Sequence, residues 1–173
     1  MIRNLVFGGA AALLVSVAVP AAAASINDAQ IAHIAYTAGQ IDIAAAKQAL
    51  ARSHNKAVRE FAQEMVRDHQ AVNVKALALV KKLHVTPQAN PTSASLSSAG
   101  AAKLKELGRL HGRAFDRAYV QNEVAYHRTV NGALRDTLIP NASNGELKSL
   151  LQTGLTLFGE HQAHAEHLSA ELH

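Results

Sequence analysis

Cysteine is absent from all 173 residues. Structural disulfides, thiol nucleophiles, cysteine-ligated clusters and the lipid-bearing cysteine of a bacterial lipoprotein are therefore excluded. Tryptophan is missing too, and aromatics make up 4% of the chain. A β-sandwich core draws on large aromatic and β-branched residues, so an alanine-rich chain with so few aromatics favours close-packed helices. Charged residues account for only 17%, and the +4 formal charge is spread without a lysine or arginine cluster, which excludes a nucleic-acid footprint. Three catalytic signatures are also missing: a glycine-rich phosphate loop, a G-x-S-x-G elbow and an H-E-x-x-H pair. Nothing in the sequence argues for an enzyme.

What is present begins with a leader-like segment. Met1 to Asn4 carries one positive charge, Leu5 to Val19 is apolar, and Pro20 with Ala21 to Ala24 supplies the small residues a signal peptidase reads. Cleavage near Ala24–Ser25 would leave residues 25–173 as one domain in the periplasm or outside the cell, with no stable membrane span.

Four long segments have helical periodicity. The first opens at Asn27, with Gln30 completing a capping box, and runs to about Arg52. The second follows the Ser53-His54-Asn55 turn and reaches about Leu83. Residues 85–99 are rich in Pro, Ser, Thr and Ala and read as a connection, followed by a short helix over Ala101 to Leu110. The third long helix spans from about Phe115 to the residue before Pro140. The fourth is expected to be capped by Ser143 with Glu146 and to run to the C-terminus. Two helical hairpins joined by a long crossover with a short extra helix define an all-α, ferritin-like four-helix bundle.

Ten histidines stand out, four of them in the last fourteen residues, EHQAHAEHLSAELH. At about 100° per residue, His161 falls inside the apolar stripe of the last helix, while His164 sits on its flank and His167 on the outer face. His69 and His127 lie centrally on the stripes of the second and third helices, and Asp116 and Glu123 share the inward face of the third. A buried charge is costly alone, so inward carboxylates require partners, and imidazole is the obvious one. His69 and His127 each open an H-x-x-V-N stretch, a weak echo of hairpin duplication.

Val58-x-x-Phe61-Ala62-x-x-Met65-Val66-x-Asp68-His69 resembles the signature of the bacterial exported family called domain of unknown function 4142. Leu83-x-x-x-Pro87, Leu107-x-x-x-x-Gly112-x-x-Phe115-Asp116-x-x-Tyr119, His127 and His161 add to the likeness. The resemblance covers nearly all of residues 25–173 and implies a ferritin-like bundle in the cell envelope, with no established reaction. Asp42 stands where the family usually has glutamate, and Phe158 where proline is common.

The candidate ligand set is therefore His69, His127, His161, Glu123, Asp42 and Asp116. A carboxylate-bridged di-iron centre needs Glu-x-x-His pairs, and none occurs, since Glu123–His127 and Glu160–His164 are both four apart. A mononuclear site for zinc, copper, nickel or iron fits the donor types. Folding the hairpins about Asn55 and Asn141 places His127 and His161 about 9 Å apart in height. That predicts two polar layers, Asp42 with His69 and Glu123 with His161. Two classes of function stay open: a non-enzymatic envelope bundle, whose partner is a second copy or another envelope protein, and a transition-metal-binding bundle.

Overall fold

The computed structural model describes residues 26–172, so the leader-like segment and His173 lie outside the described residues. Helix α1 (Asp28–Arg52) starts with the expected capping box, in which the Asn27 side chain and the Gln30 side chain each accept from the other's backbone N–H. Helix α2 (Lys56–Lys82) is capped by Asn55, whose side chain accepts from the Val58 N–H. Then come α3 (Pro91–Leu107), α4 (Gly112–Ala133), a π-helical turn (Leu134–Leu138), the short α5 (Ile139–Asn141) and α6 (Gly145–Glu171). No strand occurs among the described residues, as the sequence implies for an all-α chain, and no described helix is long and apolar enough to cross a membrane.

Helices α1 and α2 form one antiparallel hairpin and α4 and α6 the other. The crossover between them differs from expectation. Most of the anticipated connection is helical, and α3 begins ten residues before the expected short helix. Asn90 forms a second capping box with Ser93, and Pro91 occupies the first turn, where its missing N–H is not needed. These start signals outweigh the weak helix propensity of the serines that follow. Ser93, Gly100 and Leu107, seven apart, form the buried edge.

Helix α3 lies along α1 in the same direction, joined by Asn90 to the Gln30 carbonyl (3.3 Å) and Gln48 to the Leu104 carbonyl (3.0 Å). Arg52 donates to the Gly108 and Leu110 carbonyls at 2.8 Å, covering the orphan acceptors at the end of α3. Gly100 permits the close approach, because a Cβ there would stand 2.9 Å from Ile41 Cγ2. Gly112 then opens α4 with φ +54°, a conformation open to glycine without penalty.

Two further boundaries differ. Asn144, not Ser143, caps α6, accepting from the Glu146 and Leu147 N–H groups. The third long helix widens into the π turn just before Pro140, where the Ile139 N–H bonds to the Leu134 carbonyl. Proline offers no N–H and its ring crowds the carbonyl four residues back, and a wider turn relieves both problems.

The interior falls into three zones. At one end Phe61, Met65, Phe115, Tyr119 and Leu168 pack tightly, with Ala45, Ala46 and Ala49 letting α1 come close. At the other, Ile31, Ile34, Leu134, Leu138, Leu147 and Leu151 form a looser cluster. A layer of buried polar side chains lies between them.

Candidate metal centre

Each of the four long helices contributes to that middle layer. Asp42 interrupts the small-residue face of α1, between Ala38 and Ala45. His69 follows Met65 on α2, Glu123 and His127 follow Val120 on α4, and His161 follows Phe158 on α6. All five are at most 3% exposed.

The three imidazoles form a near-equilateral triangle, with ring centroids 5.4, 5.5 and 5.7 Å apart. One ligand nitrogen from each can be chosen so that all three lie within 4.8 Å of one another, and Asp42, Glu123 and His127 satisfy the same condition. Asp42 Oδ2 is 3.3 Å from His69 Nε2 and 3.4 Å from His127 Nε2. Neither contact has hydrogen-bond geometry, and both Asp42 oxygens lack a donor.

The hydrogen bonds that are made fix which nitrogens are free. His127 Nδ1 donates to the Glu123 carbonyl at 3.0 Å, leaving Nε2 as the lone-pair nitrogen. His161 Nε2 donates to Asp68 Oδ2 at 3.1 Å, leaving Nδ1 buried and without a partner. This is the outer support that metal-bound histidines commonly have, with the far ring N–H held by a carboxylate or a carbonyl. His69 has no hydrogen-bond partner at either nitrogen, and its ring stacks on Phe158 with centroids 4.4 Å apart.

Burial sets the protonation states. It pushes the His69 imidazole down to about 2 and that of His127 to about 4, and it lowers His161 against the pull of Asp68. The three rings are therefore neutral, as metal ligation requires. Burial drives the Asp42 carboxyl up to about 7, opposed in part by the adjacent Glu123 carboxyl. Glu123 rises well above the usual carboxylate range through burial and the neighbouring Asp42 charge. The two carboxyls thus titrate together rather than independently.

The sequence had divided these groups into two layers, whereas the structure gathers them into one. Glu123 and His161 are not paired, because His161 turns to Asp68. The second hairpin folds about residue 143 rather than 141, which by itself reduces the His127–His161 height difference to about 3 Å, and the π turn takes up an extra residue. Asp116 does not join the cluster. It is buried two helical turns toward the start of α4, beside Phe115 and Tyr119.

The terminal histidines stay outside as well. His164 pairs with Glu64 at 2.7 Å, and His167 with Glu171 at 3.2 Å, 75% exposed. Asn73 and Asn131 are buried polar residues too, and neither is among the candidates the sequence offers. Their only signal was the H-x-x-V-N echo, which puts an asparagine one turn beyond each central histidine on the same face. Asn131 donates to the Phe158 carbonyl and to Gln162, both at 3.1 Å.

These features define an all-helical bundle with a buried histidine–carboxylate centre. The chain belongs to the family described as domain of unknown function (DUF4142), which matches residues 15–168. No curated protein matches it. A solved structure from Streptomyces coelicolor, described as a secreted protein of DUF305, shares the fold with a TM-score of 0.72. It is 16% identical, and the alignment covers 84% of this chain and 93% of that one.

Proposed function

We propose that this is an exported protein whose helical bundle binds one divalent transition-metal ion through His69, His127, His161 and Asp42. The observation that carries the reading is the set of buried donor atoms without partners, Asp42 Oδ1 and Oδ2, His69 Nδ1 and Nε2, His127 Nε2 and His161 Nδ1. A layer serving only to fix helix register would satisfy these atoms with one another, because each unsatisfied buried polar group costs roughly 1–3 kcal/mol. A cation satisfies them together.

The spacing supports the same conclusion. Ligands about 2.05 Å from a tetrahedral zinc ion lie about 3.3 Å apart, close to the 3.3 and 3.4 Å from Asp42 Oδ2 to the two Nε2 atoms. Glu123, raised well above the usual carboxylate range, would keep its own proton or give it up when the ion arrives. The neutral imidazoles offer no competing proton at neutral pH, so the competitor is the proton on the carboxyl pair.

Elemental analysis of purified, untagged protein should find a transition metal near one equivalent. Zinc at 100 times its Kd should stabilise the fold by about 2.7 kcal/mol, with copper, nickel and iron(II) compared in parallel. His69→Gln, His127→Gln and His161→Gln should each lose that gain, while His164→Gln and His167→Gln keep it. Unchanged melting with all four metals would refute the assignment, as would loss confined to the two outer variants. Mass spectrometry of the native protein should place its N-terminus at or near Ser25, and an intact Met1 start would refute export with cleavage.

A further inference from the structure

Beyond the polar layer, toward the far ends of α2 and α4, the bundle is not filled. A cavity of about 320 Å³ lies between His69 and His127 on one side and Leu134, Leu138 and Leu151 on the other. Its volume is roughly twice that of an engineered cavity that takes up benzene, room for about a dozen non-hydrogen atoms. The π turn forms part of its wall, and such turns often mark functional sites.

Besides the two histidines, the lining carries no ionisable side chain except the Tyr126 phenol, whose hydroxyl is committed to the Ala38 carbonyl at 2.8 Å. Exposed lining residues, among them Thr92, Thr129, Ala133 and Thr137, give it an uncharged rim. One polar group inside is left over. Asn73 is 5% exposed and lines the cavity, and its Nδ2 has no partner. The space for it is kept by Gly39, where a Cβ would stand 2.6 Å from Asn73 Oδ1. A mostly apolar pocket with one or two unspent donors is the usual form of a small-molecule site.

We propose that this cavity binds a neutral, largely apolar small molecule bearing one carbonyl-type acceptor, with its head group at Asn73 Nδ2 beside His69. The donor calls for an acceptor, and the apolar walls call for an aromatic or medium-chain body. The adjacent carboxyl pair, Asp42 and Glu123, and the absence of any lysine or arginine in the lining disfavour an anion. The proposal stands apart from the metal reading, because neither the volume nor the Asn73 donor depends on an ion.

The test uses chelator-treated protein and three probes of similar size: 1-acetylnaphthalene, the hydrocarbon 1-ethylnaphthalene and the anion 1-naphthoate. Calorimetry or intrinsic probe fluorescence should show saturable binding of the ketone at one per chain, with the hydrocarbon weaker and the anion weakest. Ala76→Phe and Ala35→Phe, which fill the cavity from α2 and α1, should each weaken the ketone at least tenfold while circular dichroism and melting temperature are retained. Asn73→Leu should erase the preference for ketone over hydrocarbon.

The exposed apolar residues Val74 and Leu77 offer another place for an aromatic probe to stick. Binding lost in Val74→Ser or Leu77→Ser but kept in both filled variants would overturn the proposal. Failure of both neutral probes to saturate would overturn it too, as would 1-naphthoate binding tightest.

Discussion

Asp42→Asn separates the electrostatic cost of the polar layer from its use. The aspartate is buried on all sides, and its carboxyl is raised from 3.8 to about 7. A group whose folded pKa is raised contributes stability that is fully present below its unfolded pKa and is lost as pH rises through the folded value. The Asp42 contribution to the stability of metal-free protein should therefore fall between about pH 4 and pH 7. At 1.36 kcal/mol per pKa unit, that shift corresponds to a loss on the order of 4 kcal/mol by pH 8, shared with Glu123 because the two titrate together. Asparagine keeps the shape and carries no charge, so the variant should escape most of this loss. Urea denaturation of chelated protein should show wild type and Asp42→Asn converging at pH 4 and separating by several kcal/mol at pH 8, with the variant more stable. Zinc at about 10,000 times its Kd, a gain of about 5.5 kcal/mol, should reverse the order, since the ion uses the carboxylate that was costly without it. Wild type would then be the more stable protein at pH 8, and its zinc-linked gain would fade as pH falls below about 7. Parallel pH profiles for the two proteins would refute the buried-charge argument. A variant that remained the more stable protein in zinc would remove Asp42 from the ligand set.

The central histidines act in the opposite sense. Their folded pKa values lie below the unfolded 6.5, so the stability they contribute is present above pH 6.5 and is lost as pH falls toward about 4 for His127 and about 2 for His69. His69→Gln should flatten that acid limb in metal-free denaturation curves, and an unchanged limb would count against a buried neutral imidazole. Gly100→Ala should destabilise the protein by about 1–2 kcal/mol, because overpacking against Ile41 exceeds the roughly 1 kcal/mol gain in helix propensity. In an Ile41→Ala background the same change should turn stabilising, and a double-mutant cycle measures the reversal. Asn90→Ala removes the capping box of α3 and should cost about 0.5–2 kcal/mol in thermal melts. It should also raise hydrogen exchange over the first turn of that helix.

The all-α class and the positions of the long helices were legible because capping boxes and apolar stripes are local signals. Asn27 with Gln30 and the turn at Asn55 fix the first hairpin to within a residue. The same periodicity identified His69, His127, His161 and Glu123 as inward-facing, while Asp42 entered through the family resemblance and its height opposite His69. Their meeting in one cluster was not legible, because it depends on register between hairpins. A two-residue error in the position of the second turn, together with an unforeseen π turn at Pro140, was enough to divide one layer into two. Helix α3 was hidden by composition: its serines read as a connection, while Asn90, Pro91 and Ser93 held the start signal. The cavity leaves no trace in sequence, since it is the shortfall of several side chains on different helices.

The five central groups come from positions 42, 69, 123, 127 and 161. The first hairpin by itself holds only Asp42 and His69, and the second holds none of the carboxylate spacing that Asp42 provides. The complete donor set thus exists only after both hairpins have docked across the crossover. Contacts so far apart in the chain form late, since loop closure must come before they contribute. An ion held there would leave the folding rate nearly unchanged and slow unfolding instead, because it binds what the transition state has not yet assembled. The polar layer would then work as a kinetic latch, lengthening the lifetime of a finished chain without helping to make it.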